Sequence, residues 1–189
     1  MIEFQSKSLS LIPEEYCVYS DVLSQFFQIG YRPELFVIKD HTVSNIILEE
    51  RNVKEMDKRF IEEIEGLRKI FNLRSEEIFF DFIIKNKKSY PLERRFHFSI
   101  NYILISEKEL SEIFKDFQRG WIEFYKRYPK ARGAGIVEFS RVGFNFKEDQ
   151  ALVEICAVQD YLMGQGFLIL LEKKKDNWTI QEKKRTWIS

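Results

Sequence analysis

Five consecutive apolar residues, Phe167-Leu168-Ile169-Leu170-Leu171, constrain this 189-residue chain more than any other feature. Successive side chains of a strand point to opposite faces, so a run apolar at both parities belongs inside a sheet that is covered twice. Its neighbours read the same way. Ala151 to Val158 and Trp178 to Ile188 are further strands, with Gly164-Gln165-Gly166 and Lys175-Asp176-Asn177 as connections. Upstream, Val137 and Phe139 share one parity while Val142, Phe144 and Phe146 share the other. A bulge or sharp twist near Ser140-Arg141 reconciles them. The chain therefore closes in a four-strand meander.

The first two thirds are patterned mainly for helices. Pro13-Glu14-Glu15 suits a first helical turn, and Tyr16, Tyr19, Leu23, Phe26 and Phe27 mark its buried face, with Gly30 as the stop. Leu35 to Ile38, between Pro33 and Asp40, reads as a buried strand. Val53, Met56, Phe60, Ile64, Leu67 and Phe71 step by three and four, an amphipathic helix. Ser75 caps a shorter one carrying Ile78, Phe79, Phe82 and Ile83, broken at Ser89-Tyr90-Pro91. Phe96, Phe98, Ile100, Tyr102 and Leu104 alternate as a strand. The capping box Ser106-Glu107-Lys108-Glu109 then opens a long helix that bends at Gly120 and ends at Pro129.

The order α-β-α-α-β-α-β-β-β-β predicts a single α+β domain over residues 1–189. Helices pack on one face of a curved, mostly antiparallel sheet. Composition supports a self-sufficient core, with 44% hydrophobic residues including 18 Phe, 8 Tyr and 3 Trp. The 30 basic and 30 acidic side chains cancel, which removes the usual reason to expect nucleic acid. No apolar run approaches the ~20 residues that cross a bilayer, and Met1 to Leu11 lacks a signal-peptide pattern, so the expectation is a cytoplasmic protein without membrane contact.

Trp121-Ile122-Glu123-Phe124-Tyr125, Tyr128-Pro129, Ser140-Arg141-Val142-Gly143-Phe144-Asn145, Ala151-Leu152-Val153, Trp178 and Trp187-Ile188-Ser189 resemble a group of uncharacterised bacterial proteins. The likeness extends to Glu15-Tyr16-Cys17-Val18-Tyr19-Ser20 and Val37-Ile38-Lys39-Asp40. It brings no activity with it. Those proteins often carry Cys-Gly where this chain has Leu162-Met163-Gly164, which argues against a redox or metal role there. The meander with a late Trp also looks like the end of cystatin-like folds such as the nuclear-transport-factor-2 superfamily.

Chemistry is sparsely signalled. His41 and His97 are the only histidines and lack paired ligand spacing, so neither a metal nor a cofactor is expected. Cys17 and Cys156 read as reduced, buried thiols; a cysteine nucleophile with His97 would have to meet in space. No G-x-S-x-G elbow is present, and Gly133-Ala134-Gly135 runs from helix to strand, the reverse of phosphate-binding order. Lys173-Lys174-Lys175 and Lys183-Lys184-Arg185 read as solvated hairpin faces. Glu154, which interrupts an apolar strand, is expected against Arg141 on a neighbouring strand. That contact is either a structural ion pair or, with Asn145 and Tyr125, the floor of a ligand-binding pocket between sheet and helix. Two functions follow. The favoured one is a non-catalytic interaction or small-ligand-binding module, with a protein, a small molecule or a second copy of the chain as partner. The other is a hydrolase or isomerase using that pocket. The sequence assigns no catalytic residue to either.

Overall fold

The computed structural model describes residues 11–27, 33–44, 71 and 77–189. Its elements are α1 (Pro13–Phe26), β1 (Leu35–Lys39), α2 (Glu77–Lys85), β2 (Asn101–Ile105), α3 (Glu107–Ile113), α4 (Gly120–Arg127), β3 (Ile136–Phe139), β4 (Gly143–Phe144), β5 (Gln150–Asp160), β6 (Met163–Lys174) and β7 (Asn177–Ile188). The helix expected from Val53 lies outside the described residues, as do Gly30 and Ser75.

One mixed sheet has the order β2-β1-β3-β5-β6-β7, with β4 beside β5. β1 runs parallel to β2 and β3, and every later pairing is antiparallel. The α+β class and the closing meander are as expected from sequence. The helices, however, divide between the two faces. Phe36, Ile38, Val137, Phe139, Ile169 and Leu171 meet α1, through Tyr16, Tyr19, Val22 and Leu23. On the other face Val37 and Ile136 meet α3 and α4, while Leu168 and Leu170 meet Phe71 and α2. The doubly apolar run of β6 requires this second cover. A one-faced arrangement would leave Leu168 and Leu170 in water at a cost of roughly 1.5–3 kcal/mol each.

The shift at Ser140-Arg141 falls where parity demands it. The chain advances four residues from Phe139 to Gly143 while its partner advances three, from Ile155 back to Leu152. The extra residue flips the alternation, so Val137, Phe139, Val142 and Phe144 all reach the α1 face.

Three local expectations change. The alternating segment from Phe96 becomes a strand only at Asn101, because β1 offers five residues in register, Leu35 to Lys39. Phe96 and Phe98 instead plug the α1 face, edge-on to Tyr16 and Phe36 at 5.5 Å each. The long helix from Ser106 is two short ones. Phe114 lies so close to Gly120 that a Cβ there would sit 2.4 Å from its ring, and the chain folds back between them. Gly164-Gln165-Gly166 belongs to β6 and not to a connection. A Cβ on Gly166 would fall 2.2 Å from the Trp187 indole nitrogen, so the glycine leaves room for that ring.

β7 is an edge strand whose outer side is partly covered by α1. Asp21 accepts the Trp178 N–H at 2.7 Å. Gln25 donates to the Trp178 carbonyl at 2.7 Å and accepts the Ile180 N–H at 3.1 Å. Register shifts near Gln181 and Thr186 add two bulges.

Candidate functional site

The four residues singled out from sequence do not converge. Arg141 faces α1 and pairs with Glu15: Nε donates to Oε1 at 3.1 Å and Nη2 to Oε2 at 2.8 Å, both side chains buried. Glu15 also accepts the Ile12 and Val142 N–H groups, and the guanidinium lies 4.6 Å over the Tyr90 ring. Asn86 brackets the Arg141 backbone, accepting its N–H at 2.6 Å and donating to its carbonyl at 2.9 Å. With this many partners the ion pair is part of the core. Asn145 shapes the β4–β5 turn through the Asp149 and Gln150 N–H groups. Glu154 points to the opposite face and accepts from Thr186 at 2.8 Å, so the expected Arg141–Glu154 contact is replaced by Arg141–Glu15. Tyr125 stacks on Trp121 at 5.6 Å and donates to the Gln159 carbonyl at 2.7 Å.

The thiols separate as well. Cys17 is exposed, contrary to expectation, and Cys156 is buried. His97 sits on the α1 side, where its N–H donates to Ser20 Oγ, while Cys156 is on the other face. Burial foremost, with the Glu154 charge adding, pushes the Cys156 thiol up to about 12, so it stays protonated. His41 is exposed and bonded to Asp40 at 2.8 Å. Among the described residues no group of His, Cys, Asp and Glu could hold a metal ion.

The site that does form lies on the face opposite α1. An open groove of ≈ 630 Å³ runs between α3, α4 and the sheet, lined in part by Lys39, Glu107, Glu138, Asp160, Phe114, Trp121 and Tyr161. The sheet lines it with Lys39, Ile136, Glu138, Val158 and Asp160. Glu138 is paired with Cys156, Cys156 with Gly166, and Gly166 with Trp187, so these residues form one row across the sheet. Lys39 joins the row, with Nζ 2.9 Å from Glu138 and 3.5 Å from Glu107. Burial alone would lower the Lys39 ammonium, but the two carboxylates outweigh it and raise it. The wall is aromatic. Phe114 meets Trp121 edge-on at 5.1 Å, and Tyr125 supports Trp121 from behind. Sequence reading missed Lys39, Glu138 and Asp160. The available signal was Glu138, a charge between Val137 and Phe139 that must face away from them.

Glu154 lies beside the same row. Burial raises its carboxyl above the ordinary range, and the Glu138 charge adds to this. A raised folded-state value means the group favours folding below the unfolded carboxylate pKa and loses that contribution as pH rises through the folded value. Glu154→Gln keeps the acceptor for Thr186 but never ionises. It should leave the melting temperature close to wild type at about pH 4 and raise it at about pH 8. Thermal unfolding across that range checks this; a difference independent of pH would count against the assignment.

Comparison of the chain with family models, with curated proteins and with solved structures returns no match. No helix among the described residues is long and apolar enough to cross a membrane. The chemistry of the groove therefore carries the functional argument alone.

Proposed function

We propose that this protein is a non-catalytic binding module whose ligand docks in the groove between α3, α4 and the sheet. The observation that carries the reading is the pairing of an aromatic wall with unbalanced charge. Phe114, Trp121 and Tyr161 line the same groove as three carboxylates, Glu107, Glu138 and Asp160, and the single ammonium of Lys39. Aromatic faces and convergent polar groups in a concavity of several hundred Å³ are the usual ingredients of a binding site. The groups best suited to chemistry are committed elsewhere: Arg141 is buried against Glu15, and Cys156 is held as a thiol.

The test uses Ser111, an exposed α3 residue lining the groove. Ser111→Trp should fill the groove without touching the core. Ligands found for the wild-type protein, from a thermal-shift panel of metabolites and from display of random peptides, should bind this variant at least about tenfold more weakly, a loss of about 1.4 kcal/mol. Ligands that bind both proteins alike, or no ligand from either panel, would overturn the proposal.

A hydrolase or isomerase is the second reading, and it draws on one feature. Glu154 beside Glu138 has its carboxyl shifted upward, the direction a general acid needs.

A further inference from the structure

The apolar surface continues past the groove. Tyr161, which lines the groove, packs against Phe117 as a tilted ring pair with centroids 4.3 Å apart, and its hydroxyl donates to the Phe117 carbonyl. Phe117 is 71% exposed, and beside Tyr161 at the tip of the β5–β6 hairpin Leu162 is 86% and Met163 58% exposed. Single exposed apolar side chains need no explanation, but a contiguous set marks a surface that is covered in use.

The tip and the groove differ in what they ask of an occupant. The tip offers apolar area and no charge of its own among Phe117, Leu162 and Met163. Beside Tyr161 the groove offers Asp160, whose carboxylate accepts the adjacent Tyr161 N–H at 2.8 Å and meets no cation within salt-bridge distance among the described residues. Lys39, the one ammonium lining the groove, is already shared between Glu138 and Glu107. An occupant bridging both regions is therefore apolar at one end and cationic at the other. Aromatic rings beside the carboxylates add to the attraction for such a cation.

Resting on the groove being the binding surface, we infer that its occupant is a protein segment presenting a lysine or arginine next to bulky apolar side chains. The cation reaches Asp160 beside Tyr161 and Trp121, and the apolar residues cover Phe117, Leu162 and Met163. A segment fits this surface because one short stretch of chain can carry both kinds of group to an open groove and the exposed tip beyond it.

Selection of random 12-residue displayed peptides on the wild-type protein tests it. The expected consensus holds Lys or Arg beside Leu, Phe, Ile or Trp. A synthetic consensus peptide should bind Asp160→Lys and Leu162→Ser each at least about tenfold more weakly. Exchanging the peptide's basic residue for Glu should restore binding to Asp160→Lys, a rescue that a merely structural effect would not give. Groove-dependent peptides lacking a cation, or a consensus peptide indifferent to Asp160→Lys, would overturn the inference while leaving the groove as the binding surface. Peptides indifferent to Ser111→Trp would overturn both. Binding only to anionic vesicles, with no peptide enriched, would point to a membrane and overturn the segment.

Discussion

Arg141→Met should destabilise the protein by about 3–5 kcal/mol, because it leaves the Glu15 carboxylate buried without its counter-charge. For a chain of this size that corresponds to a fall of about 6–20 °C in melting temperature. Glu15 keeps its two backbone donors, Ile12 and Val142, so the loss isolates the guanidinium and its stacking on Tyr90. The double variant Glu15→Gln with Arg141→Met should be more stable than Arg141→Met alone, since no ion is then stranded. Chemical denaturation of the three proteins at neutral pH decides this. A double variant no more stable than the single one would show that the pair does not behave as a buried ion pair.

Trp178→Ala is expected to cost a similar amount, about 3–5 kcal/mol, by opening a large cavity between β7 and α1. Trp178 is 1% exposed, its ring lies 5.7 Å from that of Phe144, and its indole N–H donates to Glu14 at 2.7 Å. Trp178→Phe separates the contributions. It keeps most of the packing and removes the donor, while Glu14 retains Lys173 at 2.7 Å. Its cost should stay near 1 kcal/mol beyond the lost volume. Unfolding curves would sink this account if the phenylalanine variant were as unstable as the alanine one.

What could be read from sequence was local. Pro13 and the acids after it placed the start of α1, and the apolar run of β6 demanded an interior strand with two covers. Conflicting parities around Ser140 located the extra residue. What escaped was long-range choice. Arg141 could be given a carboxylate partner by chemistry, but sequence favoured Glu154, thirteen residues away, over Glu15, 126 residues away. The same limit hid the groove, whose charges come from β1, α3, β3 and β5 and meet only because β1 inserts between β2 and β3. Gly164 and Gly166 suggested a turn because glycine is commonest there, whereas here they serve the Trp187 ring.

The covering of β7 by Asp21 and Gln25 has a colloidal consequence. With a formal net charge of zero, copies of this chain gain no long-range repulsion to hold them apart at neutral pH. Resistance to stacking edge against edge then falls to short-range obstacles: a helix occupying the backbone positions that an incoming strand would need, and further along the same edge two kinks beside Lys183, Lys184 and Arg185.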